Sequence, residues 1–572
     1  MKNLQNKICI VSEQISFQEL LDKLNNISNR AKYPGSALVV NKSNQLIGII
    51  TNGDIRRAIA KGKNMKTNVL EICNTTPISI NENEIWSNKS FEKNINNWNR
   101  KSKKIDFIPV LDSNKKIINI ITNHALIKDW DKNKDKVAIY GLGYVGITLA
   151  VHLARNGWKV EGIDSNEKLL KNLEKGNLHV FEPGLKELLL KYLKSGEIKL
   201  NHTNNSLDAS VHIIAVGTPV NLKGEPNLEA VEKVTSLISK NLKEGDLVTL
   251  RSTVPVETSR NKISKIIEKQ SKLKIGLEIF LAFTPERTVE GAALKELSKL
   301  PQIVGGLTDN CCKVAAEFFS QISSSILKTD NIEAAELIKL VNNSYRDLNF
   351  AFSNELGILA TQYNLNTFKL IDAANIGYER NNIPYPSPGV GGYCLTKDPL
   401  IYSNAIKNKL NRNSLSVFGR EINSEAINLP INSLKNYCKK FNFKFSDLAI
   451  FIVGITFKGI PETKDCRSST SLSILKILHE YNKGIFGLDY MLNDFEIEQL
   501  GFSLPNKFSE NSKNKAFLVI NNHPQNINLI RENIKNEISD SIFVFDGWNL
   551  LADSDIRYFE KVRYSSIGYS EF

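Results

Sequence analysis

With 572 residues, the chain is too long to share one hydrophobic core and should divide into about three to four domains. Hydrophobic residues at 41% and charged residues at 24% fit folded globular protein and exclude a disordered or fibrous chain; no run nears the ~18 apolar residues of a membrane span. A net charge of +13 attracts anions of any size, but the lysines are dispersed among asparagines, so no nucleic-acid partner is expected. The N-terminus, MKNLQNKICIVSEQ, lacks an apolar core with a small-residue cleavage site, which points to the cytoplasm. Seven cysteines without metal-type CxxC spacing read as reduced thiols, with no metal site.

In chain order, the first feature is a repeat. Ala37 to Asn52 (ALVVNKSNQLIGIITN) aligns without a gap with Ile108 to Asn123 (IPVLDSNKKIINIITN), at an offset of 71. Each copy reads as strand, polar turn, strand, and two copies imply two modules packed together. Residues 1–128 resemble a pair of cystathionine-β-synthase-type (CBS) domains. The resemblance implies an α+β unit whose Thr51 and Asp54 hold the ribose of AMP or ATP. The second copy has Thr122 but Ala125 where the Asp should stand, which leaves one nucleotide site. Equally, the pair needs no ligand to pack or to help oligomerise. Asp129 to Lys136 (DWDKNKDK) is charged and poor in apolar residues, so a linker is expected there.

From Val137 strands alternate with helices, the pattern of a parallel, doubly wound sheet. Gly141, Gly143 and Gly146 form G-x-G-x-x-G between the strand Val137 to Tyr140 and a helix that takes in Tyr144 and Val145. The glycines permit a tight turn, close approach of a pyrophosphate, and helix packing on the strand; the helix N-terminus favours the anion. Asp164 ends the second strand, 23 residues after the first glycine, where a carboxylate meets ribose hydroxyls and repels a 2′-phosphate. NAD is therefore the expected cofactor.

A helix is expected from Asn331 to about Gln362, with Lys339, Asn343 and Arg346 on one stripe and Leu337, Leu340, Val341 and Leu348 on the opposite side. Beyond it, PSPGVGGYCLTKDP sets Cys394 after Gly391 and Gly392 and before Lys397 and Asp398. Glycines admit a substrate to the backbone, and a neighbouring lysine favours the thiolate, the nucleophilic form. Strand signals return at Leu448 to Val453, Lys483 to Leu488, Ala516 to Ile520 and Ile542 to Phe545, marking a second α/β domain.

From Val137 to about Asn549 the chain resembles the UDP-glucose/UDP-N-acetylhexosamine 6-dehydrogenase family, on GLGYVG, FEPGL, VGTPV, RSTVPVET, TPERTVEG, AELIKLVNNSYRD, GVGGYCLTKDP, GREIN and GITFKGIPETKDCRSS. The resemblance implies an α/β fold of two doubly wound Rossmann-like domains joined by a long central helix and preceded by the CBS pair. Its parts are an NAD-binding domain at 137–328, a central helical dimerisation domain with the cysteine loop at 329–430 and a UDP-sugar-binding domain at 431–572. It implies a four-electron oxidation with two NAD, for cell-surface polysaccharide synthesis, by a homodimer or higher homo-oligomer.

The roles it carries are Cys394 as nucleophile through a thioester and Glu286 as general base, for which a closed site raises a carboxylate toward working pH. Lys339 and Asn343 stabilise oxyanions, and Asp398 with Thr218 holds the hydrolytic water. Thr253 and Arg467 join the cofactor contacts, and Arg346, Arg380, Gly391 and Lys458 the substrate contacts, Arg380 from across a dimer interface. PER and Gly-Val-Gly-Gly favour UDP-GlcNAc or UDP-ManNAc over the alternative, UDP-glucose. Tyr393, where that branch often has His, and Glu257, where STVPxGT has Gly, depart from the pattern. The reading from another class is an inactive nucleotide-sensing regulator.

Overall fold

The protein is described here from a computed structural model covering residues 8–27, 33–81, 107–122, 130–202, 208–221, 224–481, 484–505, 514–534 and 541–572. Strands β1 (Ile8–Ser12), β2 (Tyr33–Val40) and β3 (Leu46–Thr51) form one three-stranded sheet, followed by helix α1 (Asn52–Ala60). A second sheet of β4 (Ile80–Asn81), β5 (Phe107–Leu111) and β6 (Ile117–Thr122) repeats the plan, its first two strands parallel and its last two antiparallel. Ser36 faces Thr51 and Val40 faces Leu46 in one hairpin; Phe107 faces Thr122 and Leu111 faces Ile117 in the other. The sequence repeat thus extends to hydrogen-bonding register. Equivalent side chains build both turns: Asn41 accepts from the amides of Ser43 and Gln45, and Asp112 from those of Asn114 and Lys116. Ala125, on which the difference between the copies turned, lies outside the described residues.

The expected linker needs correction. Trp130 is buried, its Nε1 donates to the Val314 carbonyl at 3.1 Å, and its ring meets Phe318 edge-on at 5.4 Å. Ile80, Ile108 and Val110 of the second sheet share one contiguous apolar core with Trp130 and the strand that follows. One tryptophan buries enough area to pin an otherwise polar segment.

The large sheet holds β7 (Lys136–Tyr140), β8 (Lys159–Ile163), β9 (Ile198–Asn201), β10 (Val211–Ile214), β11 (Leu247–Leu250), β12 (Phe280–Phe283), β13 (Gln302–Gly306) and β14 (Ile326–Lys328). Its order is β9-β8-β7-β10-β11-β12-β13-β14. The run from β9 to β12 is parallel and β13 opposes β12. Strands β10, β11 and β12 are buried along their whole length, as a sheet covered on both faces requires. Helices α2 (Tyr144–Arg155) and α3 (Asp309–Ser320) belong to its flanks. Strand order reverses between β7 and β10, and such a reversal opens a crevice at the carboxyl ends of the strands.

Helix α4 (Ile332–Gln362), capped by the Asn331 side chain, leads toward the second domain with α5 (Asp398–Leu410) and α6 (Leu415–Glu425) packed on it. The expected apolar set is split, with Leu340 buried. Leu337 and Val341 are exposed, whereas Glu336, Asn343, Ser344, Asp347, Ser353 and Asn354 are buried. Two of the buried polar groups are matched across the helices: Asp347 takes Arg420 Nη1 at 2.6 Å and Asn423 Nδ2 at 2.8 Å, and Asn354 pairs with Asn423. The second domain carries β15 (Leu448–Val453), β16 (Ile485–Leu488), β17 (Asn514–Val519), β18 (Ser541–Asp546), β19 (Val562–Ser566) and β20 (Tyr569–Ser570), in the order β16-β15-β17-β18-β19-β20. The last two strands carried no expectation.

Candidate active site

A cleft of about 620 Å³ runs past the carboxyl ends of the β7, β10, β11 and β12 strands, between the two α/β domains and along α4. After β7, Gly141 has φ of 93°, and a Cβ there would stand 2.9 Å from the Ala215 carbonyl. A Cβ on Gly146 would fall 1.9 Å from the Gly141 carbonyl, so the third glycine admits α2 against the turn. A Cβ on Gly143 would meet nothing within 4 Å: that side of the turn is open. No side chain caps α2, which starts Tyr144, Val145, Gly146. An open glycine turn beneath an uncapped helix N-terminus fits a dinucleotide pyrophosphate. Asp164 accepts from the amides of Leu142 at 2.8 Å and Asn166 at 2.9 Å, so the expected ribose ligand also pins the glycine turn.

The chemistry gathers opposite this turn. Cys394 opens on the cleft but is ringed by protein mass, and that enclosure pushes its thiol up; Lys339 pulls it down, Asp398 pushes it further up, and Lys397 and Arg467 pull it down. The net direction is upward, which corrects the expected lowering by a neighbouring lysine. Asp398, the first residue of α5, is 1% exposed. Its Oδ2 accepts from Asn343 Nδ2 at 2.6 Å; its Oδ1 is buried with no hydrogen-bond partner among the described residues, and Lys397 Nζ lies 3.6 Å from it. The same Nζ donates to Thr218 Oγ1 at 3.1 Å, and Thr218 donates to the Thr253 carbonyl at 2.6 Å. Lys397 thus ties the wall after β10 to the cysteine loop, a link that sequence spacing did not reveal.

Glu286 contradicts the expected raised carboxyl. Burial opposes its charge, but Arg251, the amide of Thr288 and Lys339 outweigh it and hold the group at about 2. Arg251 reaches Glu286 Oε2 through Nε at 3.0 Å and Nη2 at 2.5 Å. The amides of Arg287 and Thr288 donate to Oε1, each at 2.8 Å. Lys339 Nζ donates at 2.6 Å to the Glu286 backbone carbonyl, not to its carboxylate. A carboxylate so stabilised is a weak proton acceptor.

From the second domain, Lys458 Nζ donates to the Glu290 carbonyl at 2.6 Å, and Gly391 passes so close to the Ser468 carbonyl that a Cβ would stand 2.6 Å away. Arg467 is paired with Asp465 at 2.7 Å and lies 5.0 Å over the Tyr393 ring. Arg346 lines the cleft. Arg380 does not reach the cleft of its own chain; it is exposed and stacks on Tyr378 at 4.6 Å. In the N-terminal pair, the Thr51 and Asp54 side chains form a reciprocal capping box for α1, with Thr51 Oγ1 donating to Asp54 Oδ2 at 2.7 Å. That local role alone accounts for the T-x-x-D pattern.

Comparison with known proteins agrees with this layout. Family models of the UDP-glucose/GDP-mannose dehydrogenase family match in sequence: the NAD binding domain over residues 135–323, the central domain over 333–425 and the UDP binding domain over 451–553. A CBS domain model matches residues 4–61. A UDP-N-acetyl-D-mannosamine dehydrogenase of Campylobacter jejuni is 34% identical over 387 residues, 65% of this chain and 89% of that protein. One from Escherichia coli K12 is 30% identical over 360 residues, 61% and 83% of the two chains. The solved structure of the UDP-D-ManNAc dehydrogenase of Pyrococcus horikoshii has a TM-score of 0.67 at 28% identity, covering 76% of this chain and 99% of that one.

Proposed function

We propose, from the premise that this chain belongs to the UDP-glucose/GDP-mannose dehydrogenase family, that it oxidises UDP-ManNAc or UDP-GlcNAc at C6 to the uronic acid. The observation that carries this reading is the convergence of Cys394, Lys339, Asn343, Asp398 and Thr218 on one cleft beside the open glycine turn. The sugar choice leans on the relatives, several of which are named UDP-N-acetyl-D-mannosamine dehydrogenases. An acidic UDP-sugar suits cell-surface polysaccharide synthesis, and we place the enzyme in the cytoplasm with its NAD supply.

Gly141 to Gly146 and Asp164 would hold NAD, with Thr253 and Arg467 alongside, and when bound it would accept the electrons of both oxidations. Lys339 and Asn343 are the donors that stabilise negative charge on the substrate oxygen, where preorganised donors are worth about 3 to 4 kcal/mol each. Cys394 releases its proton to cleft water and adds to the aldehyde, retaining it as a thiohemiacetal and, after the second oxidation, as a thioester, so the aldehyde does not escape. Asp398 Oδ1, aimed at no other hydrogen-bond donor among the described residues, fits a water, which attacks the thioester and passes its proton to that carboxylate while the sulfur leaves as thiolate. Glu286 stays ionised, and the alcohol proton leaves through cleft water. Lys458 and Arg346 supply cations for the diphosphate.

We divide the chain into units at 1–128, 137–328, 329–430 and 431–572, and take the enzyme to be a homodimer through α4, with Arg380 entering the second copy's site. AMP or ATP at Thr51 and Asp54 is supported by the CBS match. A calorimetric titration with AMP should show binding that Asp54→Asn removes; a flat titration of the wild type rejects it.

The test of the main reading is a panel of UDP-glucose, UDP-GlcNAc, UDP-ManNAc and UDP-GalNAc with NAD. Two NADH should form per hexosamine consumed, and Cys394→Ser should cut acid formation by about 1,000-fold or more, as loss of a covalent nucleophile does. Oxidation of UDP-glucose alone overturns the sugar assignment, and undiminished uronic acid from Cys394→Ser overturns the thioester.

A further inference from the structure

We propose that Arg251 is a positioning residue of this reaction: it locks the turn after β12 so that the Glu286 backbone carbonyl fixes the Lys339 ammonium beside Cys394. The proposal rests on the dehydrogenase reading above and adds a residue to it. Arg251 follows β11 directly, and its side chain is 1% exposed. Besides the two bonds to Glu286, its Nη1 donates to the Thr284 carbonyl at 3.2 Å and to Gln302 Oε1 at 3.1 Å. The guanidinium also lies 5.8 Å over the Phe319 ring of α3. One side chain thereby joins the ends of β11 and β12, the start of β13, and α3.

The turn from Thr284 to Thr288 is wound around its own carboxylate, with Arg251 on Oε2 and two backbone amides on Oε1. The product of that winding is the direction of the Glu286 carbonyl, which receives Lys339 Nζ at 2.6 Å. A lysine ammonium on a flexible four-carbon stem has no directional preference of its own, so a fixed acceptor decides where its charge resides. Among the charged groups acting on the Cys394 thiol, Lys339 comes from α4, Lys397 and Asp398 from the start of α5, and Arg467 from the second domain. Only Lys339 is positioned through the Arg251 turn. A base role for Glu286 gives no reason for a buried guanidinium on its carboxylate, which would weaken it; a positioning role requires a fork that binds at several points.

Full-length Arg251→Lys and Arg251→Met are compared with wild type in two ways. The first is the pH dependence of Cys394 alkylation by iodoacetamide, read by mass spectrometry without substrate. The second is steady-state kinetics with UDP-ManNAc and NAD. Arg251→Lys keeps the buried charge and loses the fork; it carries the test if Arg251→Met does not fold. The alkylation midpoint of Arg251→Lys should rise by about one pH unit as Lys339 loosens. Its kcat should fall about 100-fold, the cost of a misplaced catalytic group, with KM for NAD within about twofold. An Arg251→Lys alkylation curve that superimposes on the wild type, or a kcat within about twofold of it, overturns the proposal. Because alkylation needs no sugar, a raised midpoint in a protein that oxidises none of the UDP-sugars upholds the Arg251 geometry and rejects the dehydrogenase reading instead.

Discussion

Burial lowers the Lys458 ammonium to about 8, with Glu290 pulling it up and Arg346 pushing it down. A lysine lowered to that value loses charge as pH rises through it, so its hold on a diphosphate should fade above pH about 8, with KM for the UDP-sugar climbing up to about tenfold per further pH unit. Lys458→Arg, charged throughout, should flatten that slope; initial rates at several alkaline pH values decide it. Glu257 holds φ of 73°, the left-handed region, where the family pattern has glycine, while its amide donates to Glu336 at 2.7 Å and its carboxylate takes Lys409 at 2.6 Å. Glu257→Ile should cost about 1 to 3 kcal/mol because a branched side chain resists that conformation, and Glu257→Gly should be tolerated; thermal melts separate the two. Cys394, Lys339, Asn343 and Asp398 were legible because each sits in a spaced pattern. The state of Glu286 was not, because the direction of a pKa shift depends on which ion faces the carboxyl, and Arg251 lies 35 residues away in the chain. The bond from Lys397 to Thr218 was missed for a similar reason: a long side chain on a loop has no face that spacing can assign.

At the scale of elements, the bounds of α4 and of strands β7 and β15 follow closely from caps and apolar runs, since those signals are local. Which face of α4 is inside did not follow. Periodicity finds stripes, but the element that covers each stripe is set by the rest of the chain, and here α6 offers Arg420 and Asn423 to a polar stripe. The result is a helix with Tyr345, Phe352 and Leu359, spaced by seven residues, 65%, 56% and 55% exposed. Large apolar side chains exposed in such a row suit the contact face of the proposed homodimer. For the homodimer proposed above, Phe352→Glu should convert dimers to monomers in light scattering and, with Arg380 then unable to reach a second site, lower kcat/KM about 100-fold. Dimers of unchanged mass would exclude this stripe as the interface. The two hairpins of the N-terminal pair show the opposite case, in which a gapless repeat foretold register as well as shape.

For the whole molecule, the separation of the N-terminal pair from the α/β domains is less complete than a charged spacer suggested. Trp130→Ala should cost about 3 to 5 kcal/mol, as loss of a large buried aromatic does, and urea unfolding measures it. Deleting residues 1–128 should lower Tm and expose apolar surface to a hydrophobic dye, because Ile80, Ile108 and Val110 share the catalytic core. A truncated protein as stable as the full chain would mean those contacts contribute nothing. Trp130 also bears on how cooperatively the molecule comes apart. A module hung on a loose tether melts by itself and gives a calorimetric trace its own peak. With its second sheet packed into the core of the large one, β5 and β7 should surrender their amide protons in a single concerted opening, and the first sheet, whose Ile8, Leu38 and Leu46 cluster with Phe107 and Ile120 of the second, should open along with them.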